Sequence, residues 1–132
     1  MTTREKVESM FYKDLHDLIY NNIPAKKVKK DYYNSKYDPD KFYIADYKIS
    51  SNNQSTFIFA LKNKDKVLRS RLTIKQMKFW DEEFSVIGIY ENHETVPQII
   101  RKEFNKFAET TYDNLYEDKD EICTNLKLLV EV

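Results

Sequence analysis

Residues 59–94, FALKNKDKVLRSRLTIKQMKFWDEEFSVIGIYENHE, decide the fold of this chain. The stretch begins inside an apolar run, continues through a basic segment, and reaches a second apolar run of strand length, SVIGIY, near its end. Between the two runs, Thr73-Ile74-Lys75-Gln76 forms a capping box, in which Thr and Gln side chains satisfy the first backbone amides of a helix. The stretch therefore predicts a strand, a basic connection, a short helix ending near Phe84, and an inner strand covered on both faces.

The residues before this stretch predict a helix and a hairpin. A capping box at Thr2-Thr3-Arg4-Glu5 opens a helical pattern that runs to Asn21, with apolar residues at Val7, Phe11, Leu15, Leu18 and Ile19. Residues 24–41 carry turn residues without a sustained apolar period, so they are predicted to form a connecting loop. Phe42–Ser50 and Thr56–Lys62 are rich in Phe, Tyr and Ile, which predicts the two strands of a hairpin. Lys66–Leu72 is a candidate third strand.

The residues after the stretch predict a long helix. Thr95-Val96-Pro97-Gln98 is a third capping box, and the helix that it opens is predicted over 95–115. Its apolar stripe consists of Val96, Ile100, Phe104, Phe107, Thr111 and Leu115. The last residues fit two structures: Leu126, Leu128, Val130 and Val132 alternate as in a strand, whereas Ile122, Leu126, Leu129 and Val130 have helical spacing.

Length and composition restrict the class of protein. The chain has 132 residues, enough for a single domain spanning 1–132 with one ordinary core. The predicted class is α/β (α+β): a central mixed sheet of three to five strands with an antiparallel hairpin, flanked by an N-terminal helix, a short middle helix and a long C-terminal helix. The chain has one Gly, which argues against Walker loops, dinucleotide fingerprints and nucleophile elbows, because all of these need glycines where the backbone turns sharply or approaches a phosphate.

Charge is distributed unevenly along a chain whose net charge is zero. Residues 1–80 carry 17 Lys and Arg against 9 Asp and Glu, and residues 81–132 carry 5 against 13. Folding can interleave the two segments into a neutral surface or leave a basic face opposite an acidic one. The candidate binding residues are Lys26, Lys27, Lys29, Lys30, Tyr32, Tyr33, Lys66, Arg69 and Arg71. Lysines interleaved with tyrosines suit phosphates and stacked bases, and tyrosines are equally enriched at protein interfaces.

The element order resembles the core of the PD-(D/E)XK nuclease superfamily. In that family an Asp on the second core strand and an acid-x-Lys on the third project from one sheet face, where the carboxylates hold Mg²⁺ and the Lys assists the attack of water on a phosphodiester. The matching residues here are Asp46 in the first hairpin strand and Lys62 in Ala60-Leu61-Lys62. Gln76 resembles a polar residue that several branches of the family place after the third strand. The resemblance implies Asp46, Lys62 and Gln76 as the catalytic residues of such a site.

The position that should be acidic in this motif is Ala60. Alanine cannot bind a cation, so the resemblance implies a nuclease-like core without catalysis and without a cofactor. An acid from elsewhere, namely Glu5, Glu8 or Asp40, would restore a Mg²⁺ site and with it a nuclease. The same residues also fit a plain cross-strand ion pair between Asp46 and Lys62 on the exposed face of the hairpin.

Three functions follow from these patterns. The first-ranked hypothesis is a small non-catalytic protein-interaction or inhibitor domain of the immunity or mobile-element anti-defence type, with a protein partner. The second is a nucleic-acid-binding module, and the third is a metal-dependent nuclease with a migrated acid. The lone Cys123, an N-terminus without the pattern of a secretory leader, and apolar runs far shorter than about 18 residues predict a cytoplasmic protein without a membrane span. The sequence indicates no oligomeric state.

Overall fold

A five-stranded mixed sheet lies at the centre of the protein, with helices on both of its faces. The computed structural model describes residues 3–80 and 82–131, with side chains from residue 10 onward. Within these residues the helices are α1 (Thr3–Asn22), α2 (Lys64–Phe79), α3 (Gln98–Asn105) and α4 (Lys119–Val130), and the strands are β1 (Val28–Tyr32), β2 (Ala45–Ser51), β3 (Gln54–Leu61), β4 (Ser85–Tyr90) and β5 (Thr110–Tyr112). The predicted α+β class is confirmed, with its mixed sheet and its N-terminal, middle and C-terminal helices.

The strands follow one another across the sheet in chain order. β1, β2 and β3 form an antiparallel meander, whereas β4 and β5 each run parallel to the preceding strand. The β2–β3 hairpin turns at Asn52 and Asn53, whose φ angles of 53° and 64° lie in the left-handed region that Asn tolerates better than most residues. Parallel neighbours need crossover connections, and these contain α2 and α3.

Two apolar cores lie on opposite faces of the sheet. α1 and α4 pack against side chains such as Tyr47 and Ile49 in one core, and α2 and α3 pack against Phe57 and Phe59 in the other. Every residue of β4 after its first is buried, as expected of an inner strand covered on both faces. The predicted bounds of this strand coincide with those of β4, and both predicted hairpin strands are present with small shifts at their ends.

The segment predicted as a third strand, Lys66–Leu72, is helical instead. α2 begins at Lys64 and not at the predicted Thr73, because the Asn63 side chain accepts a hydrogen bond from the Lys66 amide at 2.9 Å and so caps the helix. Asp65 lies in the first turn, where a negative charge interacts favourably with the helix dipole. The middle helix therefore includes the basic segment, and it ends at Phe79 rather than near Phe84.

The predicted loop 24–41 contains a short 3-10 helix and the edge strand β1. Only the first residue of β1, Val28, is buried. Asp31 has a φ of 52°. Val28 and Tyr32 lie four positions apart, a spacing that places side chains on the same face of a regular strand, yet they pack on opposite faces of this sheet. The sequence therefore lacks the alternation by which a strand is predicted. The turn predicted at Asp38 is present, and its buried carboxylate accepts two backbone amides at 2.9 and 2.8 Å.

The long helix predicted over 95–115 ends early. α3 ends at Asn105, and the chain then forms β5. The predicted stripe does not stay on one helix, because Phe107 packs in the core beneath α2 whereas Leu115 is buried in the core on the other face of the sheet. Of the two structures that fit the last residues, the helix is correct, since α4 extends to Val130 and leaves Leu128 57% exposed.

Candidate functional site

Asp46, Lys66 and the end of β3 form a closed polar cluster. The Lys66 ammonium donates to both carboxylate oxygens of Asp46, at 2.8 and 2.7 Å, and to the carbonyl oxygen of Ala60 at 3.3 Å. The Asp46 carboxylate also accepts the backbone N–H of Ala60 at 2.8 Å. The Lys66 and Asp46 side chains are only 21% and 17% exposed, so water and salt screen this ion pair less than a surface pair. The oxygen atoms of Asp46 and Ala60 therefore bind the Lys66 ammonium, a cation of the chain itself.

Local structure positions both partners of this ion pair. Because β2 runs antiparallel to β3, with Tyr47 opposite Ile58, the start of β2 lies beside the end of β3. The chain then leaves β3 and enters α2 at the Asn63 cap, which places Lys66 in the first helical turn. From that turn the long Lys66 side chain reaches back to Asp46. The cluster thus joins β2, β3 and α2.

The structure brings together only part of the predicted catalytic set. The lysine that contacts Asp46 is Lys66, a member of the predicted binding set, and not the predicted Lys62. Lys62 follows β3, and its ammonium lies 5.7 Å from the centroid of the Tyr12 ring. Gln76 comes ten residues after Lys66, about 15 Å further along the helix axis. It lines neither of the cavities that border Asp46, so the three residues do not form one site.

A cleft of about 530 Å³ lies between α1 and strands β1 and β2, next to this cluster. Asp31 and Asp46 are its acidic residues. His16 and Tyr47 also line it, with the Tyr47 hydroxyl 3.2 Å from His16 Nδ1. Burial, followed by the charge of Asp46, raises the pKa of the Tyr47 hydroxyl, which therefore stays neutral. Among the described residues no group of three or more His, Cys, Asp or Glu side chains is placed to hold a metal ion.

Of the acids expected to compensate for Ala60, Asp40 is the one whose side chain the structure describes. Asp40 is exposed in the loop before β2 and lines neither cavity beside Asp46. The side chains of Glu5 and Glu8 lie outside the described residues. Ala60 itself is fully buried, and it offers only a methyl group where a second carboxylate would stand.

The first basic run contributes to another cleft, of about 630 Å³, at the edge of the sheet. Lys29, Lys30, Tyr32 and Tyr33 line it, together with Lys48 of β2, which the sequence did not single out. Lys29 and Lys48 are direct cross-strand partners, and like charges in this arrangement are destabilising. Burial, followed by the charge of Lys29, lowers the pKa of Lys48. The fold thus brings four of the predicted binding residues together at one cleft, which Asp31 also lines.

The tyrosine rings of this cleft already contact other side chains. The Tyr32 ring centroid lies 4.5 Å from Lys48 Nζ and 5.1 Å from the centroid of Phe57. The Tyr32 hydroxyl donates to Glu82 at 2.7 Å. Lys41 Nζ lies 5.1 Å from the Tyr33 ring centroid. These rings stabilise the fold, which restricts their use as platforms for bases.

The remaining predicted binding residues lie on other elements. Lys26 and Lys27 belong to the 3-10 helix before β1 and do not line the cleft at the edge of the sheet that contains Lys29 and Lys48. Arg69 and Arg71 lie on α2 together with Lys66. Arg71 is 3.9 Å from Glu103 of α3, so its charge is balanced within the fold.

The outer face of α2 is basic. The helix has six basic residues and one acidic residue. Lys64, Arg69, Lys75 and Lys78 are exposed, and none of them has a carboxylate partner among the described residues. Residues 117–131, which contain α4 on the other face of the sheet, carry five acidic and two basic residues. Of the two charge arrangements left open by the sequence, the structure places the basic helix α2 and the acidic segment 117–131 on opposite faces of the sheet.

The same face of α2 also carries apolar side chains. Leu68, Leu72 and Phe79 are 37%, 61% and 80% exposed. Their spacing of four and seven residues places them along one side of the helix. On the neighbouring α3, Ile99 is 73% exposed. Exposed apolar side chains grouped on one face indicate an interaction surface more strongly than scattered ones.

No protein-family model, no curated protein and no solved structure matches this chain. The resemblance to the PD-(D/E)XK superfamily therefore stays a prediction. In the part of the chain that the structure describes, no helix is both long enough and apolar enough to cross a membrane.

Proposed function

We propose that this chain is a small protein-interaction domain without catalytic activity, which binds an acidic amphipathic segment of a partner protein through the outer face of α2. One observation carries the proposal: four basic side chains without carboxylate partners among the described residues share this face with three exposed apolar side chains. An inhibitor of the immunity or mobile-element anti-defence type would act in this way, by covering a functional surface of its partner.

The apolar side chains favour a protein partner over nucleic acid. Burying apolar surface contributes about 25 cal/mol per Å² before the costs of association, and an apolar stripe on a partner offers such surface whereas a phosphate backbone does not. Leu72 and Phe79 are aligned to receive an amphipathic segment along α2. Acidic residues beside that stripe would meet Lys64, Lys75 and Lys78, and this complementarity sets orientation and association rate.

The polar cluster supports the absence of catalysis. Asp46 is the remaining carboxylate of the nuclease-like motif, and the Lys66 ammonium already occupies both of its oxygens. A Mg²⁺ ion would have to displace this partly buried ammonium and would find no second carboxylate at Ala60. The element order from α1 to β4, with Asp46 on the second strand, supports a nuclease-like core that serves as a scaffold.

The purified protein is expected not to cleave DNA or RNA in Mg²⁺ or Mn²⁺, because Ala60 replaces the second carboxylate of the motif and Lys66 already binds Asp46. Supercoiled plasmid and labelled single-stranded RNA serve as substrates, and cleavage is followed on gels. The Asp46→Asn variant is the control for contamination. Metal-dependent nicking by the wild-type chain that disappears in Asp46→Asn would favour the nuclease with a migrated acid.

A selection from a library of random peptides of about 16 residues, roughly four turns of helix, tests the proposed function directly. The target is the full chain, and the counter-target carries glutamate at positions 64, 69, 75 and 78. Enriched peptides are expected to combine acidic with apolar residues at helical spacing and to bind the wild-type chain at least about tenfold more tightly than the counter-target.

Two exposed leucines provide a matched control for this selection. Leu72 on α2 is 61% exposed and Leu128 on α4 is 57% exposed. Leu72→Ser is expected to weaken binding of the enriched peptides, and Leu128→Ser is expected to leave it unchanged. Failure to enrich such peptides would contradict the proposal. Binding of duplex DNA at about 0.15 M salt, lost when Lys29, Lys30 and Lys48 become Glu, would favour the nucleic-acid module.

A further inference from the structure

A small cavity of about 240 Å³ opens beside the first three turns of α2. Its polar lining consists of Asp46, Lys66, Arg69, Ser70 and Thr73, and the segment before β2 adds two apolar residues. These two, Phe42 and Ile44, are 65% and 37% exposed. Polar and apolar side chains thus line the cavity together, and through Arg69 it adjoins the basic and apolar face of α2.

Ser70 is the unusual residue of this cavity. It is 1% exposed, and its hydroxyl has no hydrogen-bond partner within the described part of the chain. Buried hydroxyl groups almost always have a partner, so an unpaired one that lines a cavity is a candidate hydrogen-bond donor to a ligand. The neighbouring Thr73 hydroxyl, by contrast, already donates to the carbonyl oxygen of Arg69 at 3.1 Å.

The charges around the cavity determine which ligand would fit. The Lys66 charge is balanced by Asp46, with Nζ–O distances of 2.8 and 2.7 Å. Arg69 is exposed at the cavity and has no carboxylate partner among the described residues. The uncompensated charge is therefore a single positive one. A guanidinium binds a carboxylate with two parallel hydrogen bonds, and the Ser70 hydroxyl is available as a further donor.

We infer that this cavity is the anchor site for one Asp or Glu side chain of the partner protein, an inference that rests on the proposed function. The ligand carboxylate pairs with Arg69 and accepts the Ser70 hydroxyl, while apolar residues beside it in the partner pack on Phe42 and Ile44. A phosphate dianion fits less well, because the Asp46 carboxylate lines the same cavity and repels a second negative charge more strongly.

A double-mutant cycle with the enriched peptides tests the anchor. Each acidic residue of a peptide is replaced in turn by Gln, and affinities are measured for the wild-type chain and for Arg69→Gln. Replacement at one peptide position is expected to lower the affinity for the wild-type chain about tenfold. Arg69→Gln is expected to weaken binding of the parent peptide about tenfold. For the peptide that already lacks its anchor, Arg69→Gln is expected to cause little further loss of affinity, because both changes remove the same pair.

Three further variants separate the anchor from general charge attraction. Lys75→Gln removes an equal charge from the same helix but away from the cavity, and about threefold weaker binding is expected. Lys127→Gln on α4 is expected to have no effect. Ser70→Ala removes the unpaired hydroxyl without adding bulk and is expected to weaken binding of the parent peptide alone.

The outcomes distinguish failure of the anchor from failure of the proposed function. The anchor would be overturned if the peptides bind but Arg69→Gln and Lys75→Gln weaken that binding equally, and if the effects in the double-mutant cycle are additive. The proposal that the outer face of α2 binds the partner would then still stand. Inorganic phosphate that displaces the peptide at a lower concentration than acetate does, at equal ionic strength, would overturn the carboxylate as ligand. A selection that yields no binding peptides would remove the proposed function and the anchor together.

Discussion

Replacing Phe104 by Ala is expected to lower the free energy of unfolding by about 3–5 kcal/mol. Phe104 is fully buried, and its ring meets that of Tyr90 edge-on with the centroids 6.4 Å apart. Truncation removes this apolar burial and leaves a cavity between α3 and the sheet that a close-packed core cannot fill. Because domains of this kind are stable by about 5–15 kcal/mol, the loss is a large share of the total. Urea unfolding followed by the fluorescence of Trp80, the single Trp, measures it.

Gly88 provides the specific control for this effect. A Cβ atom at Gly88 would lie 2.6 Å from Phe104 Cε1 and 2.9 Å from Leu61 Cδ1. Gly88→Ala is therefore expected to cost about 1–3 kcal/mol by overpacking, and clearly less in the Phe104→Ala background, where the new methyl group enters the cavity. Ile99→Ala, at an exposed position of the same helix, should change stability by less than about 0.5 kcal/mol. Additive costs at Gly88 and Phe104 would contradict the contact.

The elements predicted correctly are those whose local pattern and burial agree. β4 is apolar along nearly its whole length because helices cover both of its faces, so its bounds are visible in SVIGIY. The hairpin is marked by its asparagine turn, and in α1 the predicted residues Phe11, Leu15, Leu18 and Ile19 are all buried. In each of these segments the apolar side chains face a core along the whole length. Under this condition the spacing of apolar residues predicts the secondary structure.

The missed elements are those whose apolar residues lie in different environments, some buried in a core and others exposed or on the opposite face of the sheet. In α2, Leu68 and Leu72 point away from the core, so the buried residues of its first half, such as Val67 and Ser70, give no clear helical stripe. After α3, Phe107 and Leu115 continue the spacing of the stripe by coincidence, although they lie on opposite faces of the sheet. Only the Asn63 cap signalled the true start of α2.

The candidate site was predictable in part. Asp46 could be found because the resemblance to the nuclease core implies an Asp on the first strand of the predicted hairpin. Its pairing with Lys66 depends on where α2 begins, which the missed Asn63 cap decides. The cavity anchor depends on the unpaired Ser70 hydroxyl and on Phe42 and Ile44 from a distant segment, and long-range packing of this kind leaves no periodic signal in a single sequence.

Alkaline solution is expected to destabilise the fold through Tyr90. The residue is fully buried, and its hydroxyl donates to Asn105 Oδ1 at 3.1 Å. Burial is the largest of the causes that raise the pKa of this hydroxyl to about 12. In the unfolded chain a Tyr ionises near about pH 10, so between about pH 10 and about pH 12 the unfolded state releases a proton that the folded state retains. Stability that is complete below about pH 10 is therefore lost towards about pH 12, by about 3 kcal/mol for this group.

The Tyr90→Phe variant isolates this contribution, because it keeps the ring and removes only the ionising hydroxyl. Near neutral pH the variant is expected to be less stable than the wild-type chain by about 1 kcal/mol, the net value of one hydrogen bond. Above about pH 11 the order is expected to reverse, since the variant has no proton to release at this position. Burial also raises the pKa of Tyr47, so both chains lose stability in base, and the difference between their urea unfolding free energies reports Tyr90 alone. A difference that stays constant from about pH 8 to about pH 12 would mean that the Tyr90 hydroxyl ionises equally well in the folded and unfolded chains.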